Sequence, residues 1–517
     1  MKSRAFFSGP SGARLAAVLG VSALLRLPGL NRPLLGNFSS LQIIYAMMAR
    51  NFRDYSRNLF LPRLDEICAG APCVRLLDLP LHSYGVALLS AASRLPVDMT
   101  GRLWSAVFSL LSVALFYDFV RQIWGEKTAL ASAFFFAFSP LSIIYGQSFQ
   151  TDATSLFFLI AAIRWILLKE RKTAPLLGAA LAFALTLLLR IQYVFLFPLF
   201  GAFFLTEGGG FVTRAVRFSV FVVISVLPLV LWNLYSYHYL EAHPERVIMS
   251  IFHQLNTGTF SSYAPWSFFF LRQITVHLVK LLLNPPGFLF LLAGLLAPPR
   301  LKREGILYAW FFLTLLMLDA LSKKAVDMNY YIWGLTLPAS VFAAKALESL
   351  KGVWFKKIPA PGFVFPGLWI LVSLSVSVSP AYHTPAGDRG VMEAAAFVRR
   401  TVPEGELLIA SNGSNSNLLY YTGRRGWAFL ITHRARDLSG YASFRLKDAP
   451  PDPSRQEYLK VQHDPVLAFE YFRSQGARYF VCSRPEDLNE EPAFGAHLRG
   501  HYPVLFESPV FIVFKLF

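Results

Sequence analysis

The chain has 517 residues, of which 55% are hydrophobic and only 15% are charged, and its mean hydropathy is +0.45. A soluble protein carries about a quarter charged residues, so this composition excludes a soluble globular enzyme and predicts many membrane-spanning helices. The formal net charge is +18, of which residues 1–381 carry +17 and residues 382–517 carry +1. Because the excess cations lie in the apolar part, they argue against a nucleic-acid-binding tail and for membrane topology with an anionic ligand nearby.

Eleven apolar segments are candidate spanning helices, since lipid leaves a spanning backbone only internal hydrogen bonds. The candidates are residues 13–30, 102–120, 128–145, 153–168, 174–189, 193–206, 216–235, 283–298, 306–321, 329–346 and 362–380. We therefore expect a mostly α-helical, polytopic bundle over residues 1–381, followed by a soluble α/β domain over residues 382–517.

The short connections give an orientation. Basic residues are concentrated at the N-terminus and in five short connections, and eleven crossings place all six segments on one side of the membrane. Basic loops remain in the cytoplasm. The same count places loop 31–101, loop 236–282 and the tail from residue 382 on the outer side.

The first outer loop, residues 31–101, contains acidic residues that could act as general bases or metal ligands. A helix-like stretch covers residues 40–53, and a second amphipathic stretch covers residues 82–95. The acidic residues are Asp65, Glu66 and Asp78. Cys68 and Cys73, five positions apart, could form a disulfide or remain two thiols.

Arginines in the same loop, including Arg50 and Arg63, are suited to binding phosphate. The alternative is an interfacial helix whose arginine side chains lie among lipid headgroups. Both interpretations are open at the level of sequence.

A second set of polar residues lies at the predicted outer ends of the later spans. It consists of Gln150, Asp152, Arg190, Lys323, Lys324, Tyr330 and Tyr331. Charges at such positions are costly and often functional, so the set predicts a cationic outer cavity for a lipid-linked phosphate or diphosphate. Each charge could instead extend separately to the interface. Arg164 and Asp319 lie deeper and are expected to pair structurally.

The tail alternates helices and strands, which favours a small parallel or mixed sheet. Helices are predicted over residues 390–402 and 464–475, and strands over 407–410, 478–482 and 510–514. The turn of residues 411–415 could face a ligand, or it could be an ordinary polar turn between a strand and a helix. Cys482 ends an apolar run and is expected to be buried.

The order of several motifs resembles the GT-C superfamily of polytopic glycosyltransferases. The closest group is the bacterial relatives of dolichyl-phosphate-mannose protein mannosyltransferases and of the lipid A aminoarabinose transferase. The motifs are Ala49-Arg50-Asn51-Phe52, Asn58 to Asp65, Leu79-Pro80-Leu81, Gly101-Arg102-Leu103, Phe138 to Asp152 and Tyr330-Tyr331. The resemblance implies transfer of a sugar, with inversion, from a polyprenyl-phosphate donor to a glycan, lipid or protein acceptor. It also implies a bacterial inner-membrane protein with a cytoplasmic N-terminus and a periplasmic or extracellular C-terminal domain.

In such enzymes an acidic residue of the first outer loop is the base and basic residues hold the donor phosphate. The sequence departs from this pattern, because Ile44 stands where the family usually carries an Asp, six residues before Arg50. Asp78 is then the best remaining carboxylate, with Asp65 and Glu66 behind it. Asp65 and Asp78 are also the candidate ligands if a divalent metal is required.

The resemblance assigns the other residues to the donor and the acceptor. The phosphate ligands are Arg50, Arg63, Arg190, Lys323 and Lys324, and the sugar or acceptor ligands are Gln150, Asp152, Tyr330 and Tyr331. Two rival hypotheses remain. Ile44 favours a degenerate member that binds a lipid-linked saccharide without transferring it. A lipid-linked saccharide flippase is less favoured, because the charges cluster at one outer face rather than at the midplane.

Overall fold

The computed structural model describes residues 10–36, 39–167, 173–205, 210–252, 268–297, 304–322, 328–351, 361–385, 388–413, 416–431 and 464–517. The chain divides into two compact units. The helical unit comprises Met1–Asn31, Gly101–Trp232 and Thr259–Tyr382, and the mixed unit comprises Arg32–Thr100, Asn233–Gly258 and His383–Phe517. The sequence predicted one boundary after residue 381, whereas most of the first outer loop groups with the tail in the mixed unit.

Helices make up most of the described chain. They are α1 Pro10–Leu24, α2 Ser39–Asp54, α3 Leu81–Ser93, α4 Val97–Trp124, α5 Glu126–Ala137, α6 Pro140–Tyr145, α7 Asp152–Leu167, α8 Thr173–Leu189, α9 Phe197–Leu205, α10 Phe211–Ala242, α11 Phe268–His277, α12 Asn284–Leu296, α13 Glu304–Ala320, α14 Thr336–Lys351, α15 Pro361–Ser373, α16 Arg389–Thr401, α17 Asn417–Thr422, α18 Pro465–Ser474, α19 Glu486–Glu490 and α20 Pro492–His501.

Each of the eleven candidate spans contains helix, but several are broken. The candidate span 128–145 is two helices, because the Ser139 side chain caps α6 by accepting a hydrogen bond from the Ser142 N–H at 3.1 Å and Pro140 follows it. In the described part of the chain, three helical segments are long and apolar enough to cross a membrane alone: Gly12–Gly29, Val97–Trp124 and Phe211–Ala242. A fourth is counted if Ile274–Leu282 and Asn284–Leu296, bent by 102°, form one span. The count of eleven spans and their orientation stay predictions.

Irregular helical turns lie next to one another in the helical unit. Helix α6 packs against Leu278–Leu282, Asn329–Leu335 and Leu374–Val378, and α13 packs against Ile191–Leu196 and Asn329–Leu335. Backbone that leaves the regular helix is tolerated in apolar surroundings where it is buried in protein or lines a polar cavity. Arg190 immediately precedes the turn Ile191–Leu196, and Tyr330 lies within the turn Asn329–Leu335.

The mixed unit is built on one eight-stranded sheet. Its strands are β1 Arg63–Cys68, β2 Ala71–Leu76, β3 Val247–Ser250, β4 Leu407–Ser411, β5 Gly426–Ala428, β6 Ala477–Cys482, β7 Val504–Glu507 and β8 Ile512–Lys515. Their order is β3-β2-β1-β5-β4-β6-β8-β7. The pairs β1–β5, β5–β4 and β4–β6 are parallel, and β1–β2, β6–β8 and β8–β7 are antiparallel. The sheet is therefore mixed, which is one of the two alternatives that the sequence of the tail left open.

The first outer loop joins this sheet through the β1–β2 hairpin, which the sequence did not predict. Glu66 of β1 pairs with Gly426 of β5. Gly426 has a φ of +157°, and a side chain there would collide with the carbonyl of Leu408, so this junction requires glycine. A disulfide between Cys68 and Cys73 closes the hairpin, which decides between the two interpretations of this cysteine pair.

The predicted elements of the tail are confirmed within one or two residues. Their apolar positions form a core between one face of the sheet and helices α18 and α20, which contribute Phe469, Phe472 and Phe494. Cys482 lies in this core, and burial raises the pKa of its thiol to about 12. A thiol with so high a pKa is unreactive at neutral pH, consistent with a structural role.

Candidate active site

In the helical unit, Asp152 and Arg190 form a buried ion pair. Asp152 begins α7, and Arg190 follows the last residue of α8. The Arg190 guanidinium lies 4.8 Å from the ring centre of Tyr330, which stacks on Tyr331 at 4.9 Å. The structure thus brings together four of the residues singled out in the sequence, from three separate segments of the chain.

Two neighbouring polar side chains lack hydrogen-bond partners within the described part of the chain. Gln150 and Thr151 precede Asp152 and are buried, and neither the Gln150 amide nor the Thr151 hydroxyl makes a hydrogen bond there. An unsatisfied buried polar group costs about 1–3 kcal/mol. Such groups are rare in folded proteins and call for an explanation, such as a ligand that supplies the missing partners.

Aromatic side chains surround the same pair. The ring of Tyr145 lies 5.9 Å from that of Tyr330, and the Tyr145 hydroxyl donates to the Asn329 side chain. Tyrosines combine apolar faces with hydroxyls, so these residues suit a ligand that is partly apolar and partly hydroxylated. Lys323 and Lys324, predicted to bind phosphate, lie outside the described residues.

In the mixed unit, Asp65 is occupied by two side-chain donors. It forms an ion pair with Arg50 and accepts a hydrogen bond from the Asn51 amide at 3.1 Å. Arg50 also donates to the Tyr420 carbonyl at 2.7 Å and lies 4.3 Å from the ring centre of that residue. Burial raises the pKa of Asp65, while the Arg50 charge and the Asn51 amide partly offset that shift.

The other acidic candidates have separate partners. Asp78 accepts hydrogen bonds from the Arg75 guanidinium at 2.6 Å and the Tyr45 hydroxyl at 3.0 Å. Its side chain is 11% exposed, against 4% for Asp65, so Asp78 is the more accessible of the two carboxylates. Glu66 is buried and accepts a hydrogen bond from the Ser416 hydroxyl.

Of the two predicted phosphate ligands in this loop, only Arg50 is joined to one of the acidic candidates. Arg63 begins β1 and is half-buried. Ile44, at the position of the usual family Asp, lies in α2 and is also half-buried.

Sequence reasoning overlooked Asp98, which extends the Arg50 network. Asp98 lies in the first turn of α4 and accepts hydrogen bonds from the hydroxyls of Tyr420 and, at 3.1 Å, Tyr421. Burial and the Asp98 charge raise the pKa of Tyr420 well above its usual value, so this phenol stays protonated and donates. The only sequence signal was a pair of adjacent tyrosines in an apolar stretch, more than three hundred residues from the acid.

The prediction of an ion pair between Arg164 and Asp319 was wrong. Arg164 does not pair with Asp319 but donates to Asp118 at 2.7 Å, and Asp118 also binds Arg121 at 2.8 Å. Helices α4 and α7 bring these charges together, which the linear sequence did not reveal.

Among the described residues, no three His, Cys, Asp or Glu side chains come together as a metal site. Asp65 and Asp78 each already accept hydrogen bonds from an arginine and one other side chain. Their role as metal ligands stays a prediction.

Known proteins share this architecture. A family model described as dolichyl-phosphate-mannose-protein mannosyltransferase matches residues 80–234, and no curated protein matches. The structure resembles that of ArnT from Cupriavidus metallidurans bound to undecaprenyl phosphate, with a TM-score of 0.65 and 14% identity, over 98% of this chain and 99% of that one. The chain has the GT-C fold. The resemblance stated from the sequence is thereby confirmed.

Two other structures with the GT-C fold are similar. The archaeal oligosaccharyltransferase AglB from Archaeoglobus fulgidus, in complex with an inhibitory peptide and a dolichol-phosphate, has a TM-score of 0.56 at 13% identity, over 95% of this chain and 72% of that one. The arabinofuranosyltransferase AftD from Mycobacteria has a TM-score of 0.58 at 14% identity, over 99% of this chain but only 40% of that one. The segment matched by the family model contains Asp152 and Arg190 but neither Asp65 nor Asp78.

Proposed function

We propose that this protein is a membrane glycosyltransferase that takes a sugar from a polyprenyl-phosphate donor and transfers it, with inversion, on the outer face of the bacterial inner membrane. The observation that carries the proposal is the Asp152–Arg190 pair beside Tyr330 with the unpartnered polar groups of Gln150 and Thr151. The similarity to ArnT over nearly the full length of both chains supports it, since that structure was solved with undecaprenyl phosphate bound.

The donor is assigned first to the helical unit. A guanidinium binds phosphate oxygens through paired N–H groups, so Arg190 is the leading phosphate ligand, with Lys323 and Lys324 as further candidates. Asp152 and Gln150 would bind sugar hydroxyls, and Tyr330 and Tyr331 would pack against the sugar ring.

Arg50 and Arg63 are weaker assignments for the phosphate. Arg50 already binds Asp65 and the Tyr420 carbonyl, so a donor phosphate would compete with both contacts. We therefore assign Arg50 to holding the first outer loop before assigning it to phosphate.

Asp78 is the proposed base. In transfer, the acceptor hydroxyl loses its proton to the base, its oxygen bonds to the anomeric carbon, and the bond from that carbon to the phosphate oxygen breaks to release polyprenyl phosphate. A carboxylate held by Arg75 and Tyr45 and partly open to solvent suits that role better than the more enclosed Asp65. Asp65 and Glu66 remain the secondary candidates.

The test is transfer from a panel of polyprenyl-phosphate sugars by the purified protein, measured as release of polyprenyl phosphate. Asp78→Asn should slow release by about 10²–10⁴-fold, the usual contribution of a general base. Asp54→Asn is the matched control, because Asp54 is in the same loop but is exposed and, among the described residues, pairs with its neighbour Arg53 alone. Unchanged release by Asp78→Asn would refute its assignment as the base, and absence of release from every donor would refute the transferase.

The second candidate is a degenerate protein that binds a lipid-linked saccharide without transferring it. Ile44 favours it, because the position lacks the usual carboxylate. Binding of a donor that Arg190→Ala abolishes, with no release of polyprenyl phosphate under any acceptor, would establish this alternative. Arg121→Ala is the control, since Arg121 also pairs with a carboxylate in the helical unit.

A further inference from the structure

In the mixed unit, the connections that follow β4 and β6 diverge at the carboxyl ends of these two strands. Both strands are parallel and adjacent, and β5 lies on the other side of β4. The chain leaves β4 through α17 towards β5, but it leaves β6 through α19 and α20 towards β7 and β8 on the opposite side. In parallel sheets, ligands bind outside the carboxyl ends of two adjacent strands when the connections that follow these strands run in opposite directions along the sheet.

Two buried polar side chains at this point have atoms without hydrogen-bond partners in the described part of the chain. Ser411 pairs with Cys482, and the next N–H, that of Ser483, donates to the Ser411 carbonyl at 3.0 Å. The register therefore places Asn412 beside Ser483, immediately beyond the strand ends, and each residue is only 3% exposed. Within the described ranges of the chain, neither the Asn412 side-chain nitrogen nor the Ser483 hydroxyl has a hydrogen-bond partner.

The register also shows which way these side chains face. Ile409, Phe480 and Cys482 face the aromatic core under α18 and α20. Since side chains alternate along a strand, Asn412 and Ser483 face the opposite side of the sheet. They are therefore not polar residues of that core.

The first turn of α16 closely approaches the end of β6. A side chain at Gly390 would approach the Ser483 carbonyl to 2.7 Å, so glycine is needed for this close contact. The N-cap residue of α16, Asp388, makes no side-chain cap; its carboxylate instead accepts the Gly36 N–H at 3.0 Å. A helix N-terminus carries a partial positive charge that favours anions.

A guanidinium completes the set of donors. Arg484 follows Ser483, and its terminal nitrogen Nη1 lies 3.7 Å from the position of a side chain at Gly413, in the turn that leaves β4. Its Nε atom lies 3.4 Å from Glu486 and 3.5 Å from Asp487. Ser414 and Asn415, which complete the turn noted in the sequence, lie outside the described residues.

We propose that the region beyond these strand ends binds a singly charged oxyanion, a phosphodiester or a sugar carboxylate, through the Asn412 amide, the Ser483 hydroxyl and the Arg484 guanidinium. All three groups can donate, so the ligand must supply acceptor oxygens. Glu486 and Asp487 lie 3.4 Å and 3.5 Å from the Arg484 Nε, and Asp388 is close enough to interact with the same guanidinium. These carboxylates would repel a second negative charge, which favours a monoanion over a phosphate dianion. The site is independent of the proposed transferase activity.

The experiment titrates the full-length protein in detergent with dimethyl phosphate, glucuronate and methyl glucoside, and measures heat of binding and thermal stabilisation. We expect saturable binding of dimethyl phosphate or of glucuronate, and the difference between them identifies the source of the anion. Asn412→Ala and Arg484→Gln should each weaken binding about tenfold or more, as expected for loss of a hydrogen bond to a charged group. Arg499→Gln is the matched control, because Arg499 is an exposed arginine of the same unit paired with Glu507.

Three results would overturn the proposal: no binding of either anion, equal binding by Asn412→Ala, or equal binding of methyl glucoside. A further measurement separates this site from a structural role for Asn412. Removing an unsatisfied donor should leave the Tm of the unliganded protein unchanged or higher. A large decrease in Tm for Asn412→Ala would mean that its amide supports the fold and not a ligand.

Discussion

Two ion pairs of the same composition occur in the two units. Arg50 binds Asp65 in the mixed unit, and Arg190 binds Asp152 in the helical unit. In each pair the guanidinium also lies over a tyrosine ring, at 4.3 Å from Tyr420 and 4.8 Å from Tyr330. The residue types alone therefore do not distinguish the pairs.

Their neighbours do. Each carboxylate oxygen of Asp65 accepts a side-chain hydrogen bond, and Arg50 binds a backbone carbonyl as well. Next to Asp152, the side chains of Gln150 and Thr151 have unpartnered atoms in the described structure. Beside Asp65 one atom, the Asn51 Oδ1, also lacks a partner in the described structure, so the two pairs differ in the number of unsatisfied groups next to them. We expect the pair with fewer such groups to support the fold and the pair with more of them to face a ligand.

The largest expected effect tests the Arg50–Asp65 pair. Asp65→Ala should destabilise the protein by about 3 kcal/mol, the lower end of the range for a broken buried pair, because it leaves the partly buried charge of Arg50 without its partner. Arg50 cannot relieve this cost by losing its proton, since arginine stays charged in proteins. The decrease in Tm of the purified protein measures the effect.

Asp54→Ala is the control for this prediction, because Asp54 is exposed and its contact with Arg53 should contribute at most about 1 kcal/mol. If Asp65→Ala kept its Tm but lost transfer, Asp65 would belong to the chemistry, and the contrast between the two pairs would fail.

A smaller effect is expected next to the Asp152–Arg190 pair. Gln150→Ala should leave the Tm unchanged or slightly higher, because it removes two unsatisfied polar atoms. The same change should lower turnover of the donor by about tenfold, the effect of one lost hydrogen bond to the ligand. The release of polyprenyl phosphate and the thermal melt are measured on the same preparation.

Gln122→Ala provides the opposite case within the helical unit, since the Gln122 amide already donates to Asp118 at 2.9 Å. It should retain full turnover. If Gln150→Ala lowered the Tm and left turnover intact, the group around Asp152 would be structural and no different from the pair at Asp65.

The fold was accessible from sequence where local patterns determine it. Apolar runs gave the helices of the helical unit, and the tail strands β4 and β6 were found within one residue because alternating helices and strands have distinct periodicities. The β1–β2 hairpin was not found, because its strand Arg63–Cys68 mixes charged with apolar residues. Its position in the sheet depends on Gly426, more than three hundred residues away.

The residues of the candidate site were likewise predictable where the local sequence determines them, and not where distant residues do. Asp152, Arg190 and Tyr330 were singled out because charged and aromatic residues at the ends of apolar helices are costly. Which carboxylate pairs with which arginine could not be predicted, as Arg164 with Asp118 demonstrates, because it depends on helix packing. Asp98 escaped notice because a single acid at a helix N-terminus is common.

The smallest expected effect concerns Glu470, a partly exposed carboxylate that, like Asp65, accepts hydrogen bonds from several side chains. Its donors are Arg473, His497 at 2.9 Å and Tyr502. Although partial burial opposes it, these donors lower the pKa of Glu470 below its ordinary value of 4.5. A carboxyl whose pKa is lowered by folding stabilises the folded state above its unfolded pKa, and this stabilisation is lost as the pH falls through the folded value.

The Tm of the wild type should therefore decrease below about pH 4.5 more steeply than that of Glu470→Gln, with little difference in slope near neutral pH. Glu507→Gln is a demanding control, because Glu507 also has a lowered pKa but a single partner, Arg499, and is more exposed. Water and salt screen such a pair, so its variant should differ less from the wild type in acid. Equal behaviour of the two variants would mean that the number of donors around a carboxylate does not set its contribution, which would also weaken the distinction drawn between Asp65 and Asp152.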